Sequence, residues 1–140
     1  MVFLATTAGE AGDVQHASDI LRFVVQTYPK DSSAEFDLGL TLSAQPTEQI
    51  AAFKRSIDLD PDLIAGYESL GAALYSARLG DQALEVFRKG LAIDPLSPSL
   101  NYNLGLLLTR TGEISEGNRR MALAAKVDPD IAAKLQGSRK

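Results

Sequence analysis

Four prolines recur along this chain at a nearly constant interval. Pro29, Pro61, Pro95 and Pro129 stand 32, 34 and 34 residues apart, within the corners TYPKD, DLDPD, AIDPL and KVDPD. A second ladder, Leu38-Gly39, Leu70-Gly71 and Leu104-Gly105, keeps the intervals 32 and 34. Two independent landmarks in phase define an internal repeat. A period of about 20–50 residues restricts a chain to solenoids, propellers or arrays.

Each unit reads as two helices. In the third, Ile64, Tyr67, Leu70, Gly71 and Leu74 fall on one helical face. Gly80-Asp81 is then expected to break the helix. Ala83, Leu84, Phe87, Leu91 and Ile93 line the next helix, and Asp94-Pro95 stops it. Ser97 reads as the N-cap of the helix that follows, with Pro98 at its first position. The fourth unit repeats the plan: SLNYNLGLLLTR, a break at TGE, then ISEGNRRMALAAKV. No strand pattern is evident.

The pattern resembles the tetratricopeptide repeat, a 34-residue helix–turn–helix unit with a Trp, Leu-Gly, Tyr, Ala, Phe, Pro signature. The third unit supplies Tyr67, Leu70-Gly71, Leu74, Ala83, Phe87 and Pro95. The fourth supplies Asn101, Leu104-Gly105, Leu108, Gly117, Met121 and Pro129, and the second Glu35, Leu38-Gly39, Leu42, Gln49, Phe53 and Pro61. The first begins late, with Met1, Leu4-Ala5, Ala8, Ala17, Leu21 and Pro29, and Thr6, Thr7 and Gly9 weaken its opening helix. Against the family pattern, the second unit's turn, SAQPTEQ, is expected two residues short. The third unit's first helix is expected longer and its turn shorter.

The resemblance implies an all-α solenoid, a right-handed superhelix of antiparallel helix pairs whose first helices line a concave groove. It divides 1–140 into one domain with repeats 1–29 (partial), 30–61, 62–95 and 96–129. A capping helix stub, beginning near Ile131, occupies 130–140. The abrupt ends read as either a piece of a longer array, the favoured reading, or a small capped one. Gly39, Gly71 and Gly105 would be points where the two helices of a pair approach closely.

Composition narrows function by exclusion. There are no cysteines, so disulfides and thiolate chemistry are out, and one histidine, His16, cannot build a multi-histidine metal site. His16 reads as an exposed polar residue. A net charge of −4 argues against nucleic acid. MVFLATTAGE has no basic leader, and no apolar run is long enough to span a membrane. The compartment is left open, the cytoplasm being compatible. Asp58, Asp60 and Asp62 read as helix termination, with Asp60 and Asp62 able to cap the next helix. Arg22, Lys54 and Arg88 recur at one place of the second helices and read as a solvated face with Glu85 and Glu116 as partners.

The resemblance also places groove residues on the first helices. In this sequence they are Phe36, Asp37, Leu40, Glu68, Ala72, Tyr75, Tyr102, Asn103, Leu106 and Arg110. Phe36, Leu40, Tyr75, Tyr102 and Leu106 are large and apolar or aromatic, the character of interface anchors. Chaperone-binding members clamp a C-terminal carboxylate with Lys, Asn, Asn, Lys and Arg. Here those places hold Val2, Thr6, Asp37, Ala65 and Ser69, or, one unit later, Phe36, Leu40, Ser69, Ser99 and Asn103, so the clamp is missing. The expectation is a non-catalytic protein-interaction scaffold without metal or cofactor. Its groove would take an uncharged or apolar peptide or helix. Self-association through exposed array ends and service as the regulatory segment of a larger enzyme are the alternatives.

Overall fold

The structure, a computed structural model, describes residues 13–138, so the expected opening helix of the first repeat lies outside the described residues. Those residues hold eight helices: α1 (Val14–Thr27), α2 (Ser32–Thr41), α3 (Pro46–Leu59), α4 (Ile64–Ser76), α5 (Gly80–Ile93), α6 (Pro98–Thr111), α7 (Ile114–Val127) and α8 (Pro129–Gly137). No helix among the described residues is long and apolar enough to cross a membrane.

The repeat is visible in the hydrogen bonds. The residue after each second helix donates its N–H to the carbonyl four residues back: Tyr28 to Val24, Asp60 to Ser56, Asp94 to Gly90 and Asp128 to Ala124, at 2.7, 2.9, 3.0 and 2.9 Å. Asp60, Asp94 and Asp128 then accept the N–H two residues on, at 3.2, 3.2 and 2.8 Å. This is the local side-chain bond by which aspartate turns a chain. Asp60 therefore closes the turn around Pro61 rather than capping α4, which begins only at Ile64. Ser97 caps α6 through the Leu100 N–H at 3.3 Å, with Pro98 in the first turn.

Two turns differ from expectation. Gly80-Asp81 does not break a helix but opens α5. The break is at Ala77–Leu79, where Arg78 has φ 66°, and Gly112 has φ 99° at the same place one repeat later. Both are left-handed helix ends with matching bonds: Leu79 N–H to Leu74 at 2.9 Å and Glu113 N–H to Leu108 at 2.9 Å. The glycine of the third unit is thus not a displaced stop; an arginine fills the stop. As a result α4 is not lengthened, at 13 residues against 14 in α6. In the second unit the shortening falls on the helix, not the turn. α2 has 10 residues and Leu42–Gln45 connects it to α3, with Pro46 disfavouring helix at Gln45.

The chain forms two compact units, through Ala73 and from Leu74, the division falling within α4. In the first, α1 packs on α2 and α2 on α3, around Leu21, Leu38, Leu42 and Ala52. Gly39 meets Phe53 there: a Cβ added to it would lie 2.5 Å from the ring. In the second, α5 packs on α6, α6 on α7 and α7 on α8. Leu100, Leu104, Leu108, Leu91, Ala124 and Ile131 are buried. Gly105 and Gly117 bring α6 and α7 to backbone contact, each glycine's added Cβ falling 2.7 Å from the other's carbonyl oxygen.

The residue at the family's Trp position anchors the first helix to the preceding turn. Tyr67 donates its hydroxyl to the Pro61 carbonyl at 2.8 Å, and Asn101 donates Nδ2 to the Pro95 carbonyl at 3.0 Å. Glu35 carries no donor as a carboxylate. It is 5% exposed and accepts from Arg55 Nε at 2.9 Å, while its second oxygen is buried with no partner among the described residues.

Candidate functional site

In the first unit, Phe36, Asp37 and Leu40 stand within one turn of α2. Phe36 is half-buried, its ring 5.6 Å from that of Phe53 at a 47° tilt. Leu40 is 55% exposed. Glu68 and Ala72 lie one turn apart on α4, the first half-buried and the second exposed.

Asp37 is partly buried. Burial, and secondarily the charge of Asp31, push its carboxyl above the usual carboxylate value. A raised acid favours the fold while protonated. Its contribution is present below the ordinary value and is lost as pH rises through the raised one. At neutral pH the ionised Asp37 therefore weakens the fold. Asp37→Asn is expected to raise the melting temperature at pH 7 and to gain less, or nothing, in acid below the ordinary value. An equal gain at both pH values would contradict the burial argument.

In the second unit, Tyr102, Leu106 and Arg110 form a stripe along α6 at intervals of one turn, with Asn103 beside them. Tyr75, at the end of α4, is 36% exposed. Arg110 reaches it across 35 residues of sequence, donating to the Tyr75 hydroxyl and placing its guanidinium carbon 5.4 Å from the ring centroid. Lys134 on α8 covers Tyr102 in a similar way, its ammonium 5.9 Å from the ring centroid. Each tyrosine face is thus held against a cation, a favourable contact. Beside Tyr75 opens a cleft of about 570 Å³ lined by Tyr75, Ser76, Arg78, Gly80, Leu107, Arg110 and Thr111.

Lys134 and Arg78 were missed by sequence reasoning. The repeat could have found both. Lys134 lies 32 residues after Tyr102, close to one period, and Arg78 lies 34 before Gly112.

The basic residues of the second helices behave as a solvated face. Lys89 pairs with Glu85 at 2.8 Å and Arg120 with Glu116 at 3.4 Å, both one turn apart. The hydrogen bond and charge of Lys89 hold the Glu85 carboxyl below its usual value. Arg22 pairs with Glu48 at 2.7 Å. His16 is exposed on α1. Among the described residues no group of three or more His, Asp or Glu side chains is placed to hold a metal ion.

No family model matches the chain. It is 29% identical over 121 residues to Hsp70-Hsp90 organizing protein 1 of Glycine max, a match covering 80% of this chain and 21% of that protein. The chain therefore spans about a fifth of the curated relative's length. Among solved structures it superposes on a crystal structure of MamA with a TM-score of 0.82 at 20% identity, covering 89% of this chain and 74% of that one. It also superposes on a thermophilic TPR protein of Thermus thermophilus, with a TM-score of 0.80 at 18% identity, covering 97% and 78%. These likenesses carry the fold: the chain is an all-α solenoid of helix pairs, similar to those solved structures.

Proposed function

We propose that this protein is a non-catalytic protein-interaction scaffold whose first-helix faces bind a partner peptide or helix. The observation that carries the reading is that large side chains remain accessible on faces a lone repeat array has no need to leave apolar. Leu40 and Tyr75 are exposed, and Phe36, Tyr102 and Leu106 are half-buried on α2 and α6. Aromatic anchors held in place lose little side-chain freedom on binding and so carry much of an interface's energy. The organizing protein that this chain resembles is named for two chaperones, which supports a scaffold in general. The missing clamp residues argue for a different ligand, one with apolar side chains for Phe36, Leu40, Tyr75, Tyr102 and Leu106.

A random dodecapeptide library displayed on phage and selected on the chain tests this. The selected peptides should bind Tyr102→Ala about tenfold more weakly, the scale of a lost anchor, with the helical circular dichroism unchanged. Peptides that bind Tyr102→Ala, Tyr75→Ala and Leu40→Ala as well as wild type would place the binding surface elsewhere.

A further inference from the structure

We propose that the cleft between Arg78 and Arg110 seats an acidic side chain, Asp or Glu, of the partner peptide. The inference rests on the scaffold reading above and adds a charge requirement to it. Two arginines line this cleft and no acidic residue does. Arg22, Arg55 and Arg120 each hold a carboxylate, whereas Arg78 and Arg110, like Arg88 and Arg119 outside the cleft, form no ion pair among the described residues. Two like charges facing one cleft repel, and an anion between them reverses the sign of that interaction.

The backbone points the same way. Arg78 stands at φ 66°, in the left-handed region, where the next repeat uses Gly112. Glycine takes that conformation without steric cost and an L side chain does not. An arginine kept at a helix end where glycine would serve, and lining the cleft, points to a use for its side chain. Arg110 is already fixed by Tyr75 through its hydroxyl and its ring. A guanidinium ordered in advance loses less freedom when its planar fork meets a carboxylate. Leu107 and the Tyr75 ring give the cleft an apolar wall, which suits the methylenes of an acidic side chain and offers nothing to a free inorganic anion.

Arg78→Gly makes the test clean, because it deletes the guanidinium while relieving the backbone, and its melting temperature should not fall. Dodecapeptides selected from the random library on wild-type protein should be enriched in Asp and Glu over the unselected library. By fluorescence anisotropy, one such peptide should bind Arg78→Gly and Arg110→Gln each about tenfold more weakly, the scale of one lost charged hydrogen bond. Its Glu→Gln version should lose the same factor on wild type and be indifferent to Arg78→Gly. Selected peptides without acidic enrichment that still depend on Tyr102 would overturn this proposal and leave the scaffold reading standing. Acidic peptides indifferent to both arginine variants would overturn it as well, and a selection yielding no binders would remove both.

Discussion

Gly105→Ala is expected to destabilise the protein by about 3 kcal/mol, the upper end of the usual overpacking range. A Cβ there would lie 2.6 Å from Met121 Cγ, 2.7 Å from the Gly117 carbonyl oxygen and 3.1 Å from the Met121 amide nitrogen. The methionine side chain can swing away, since it is unbranched and flexible. The two backbone atoms cannot move without separating α6 from α7, the pair on which Leu104 and Leu108 are buried. Against this stands a gain of about 1 kcal/mol from replacing glycine by alanine inside a helix. The clash exceeds it, because separating the helices uncovers several leucines at once. Gly117→Ala should fail in the same way, its Cβ running into Thr109 Oγ1 and lying 2.7 Å from the Gly105 carbonyl oxygen. Urea denaturation of the two variants checks this. A midpoint equal to wild type for Gly105→Ala would mean that α6 and α7 are not in backbone contact.

The same contact shows what a single sequence can and cannot disclose. The Leu-Gly ladder is legible because the repeat fixes which residue of a pair must be small. Gly105 and Gly39 stand where the ladder places a close approach. The turns are less legible. Gly80 looks like a stop by residue type, yet position within the period decides, and at the stop's position stands an arginine. Backbone conformation is set there by the helix-end bonds, which Leu79 and Glu113 make identically, and the side chain is overruled. The candidate site was legible as a set of positions but not as chemistry. Tyr75 and Tyr102 read as bare aromatic anchors, since no basic residue stands one turn away from either on its own helix. The cations that cover them come from roughly one repeat later, on α6 and α8. Charge on such a surface is therefore read by comparing residues a full period apart, not by scanning neighbours.

The second large effect is expected at Phe53, which is 2% exposed and leans on both Gly39 and Phe36. Phe53→Ala should cost about 3–5 kcal/mol, the usual range for emptying a buried aromatic site. The tilted ring pair with Phe36 adds to the loss on the order of 0.5–1.5 kcal/mol. Phe36 is itself a candidate binding residue, so removing its support should also loosen the α2 face that carries Leu40. Gly39→Ala approaches the same ring from the other side, its Cβ 2.5 Å from Cε1 and 2.6 Å from Cδ1. Here, unlike at Gly105, every close atom belongs to a side chain. If that ring is the sole obstacle, Gly39→Ala should be harmful in wild type and nearly harmless, or stabilising through helix propensity, once Phe53 is alanine. A double-mutant cycle in urea should then show the pair costing less than the sum of its parts by about 1–3 kcal/mol. Strict additivity would show that Gly39 is required by something other than Phe53.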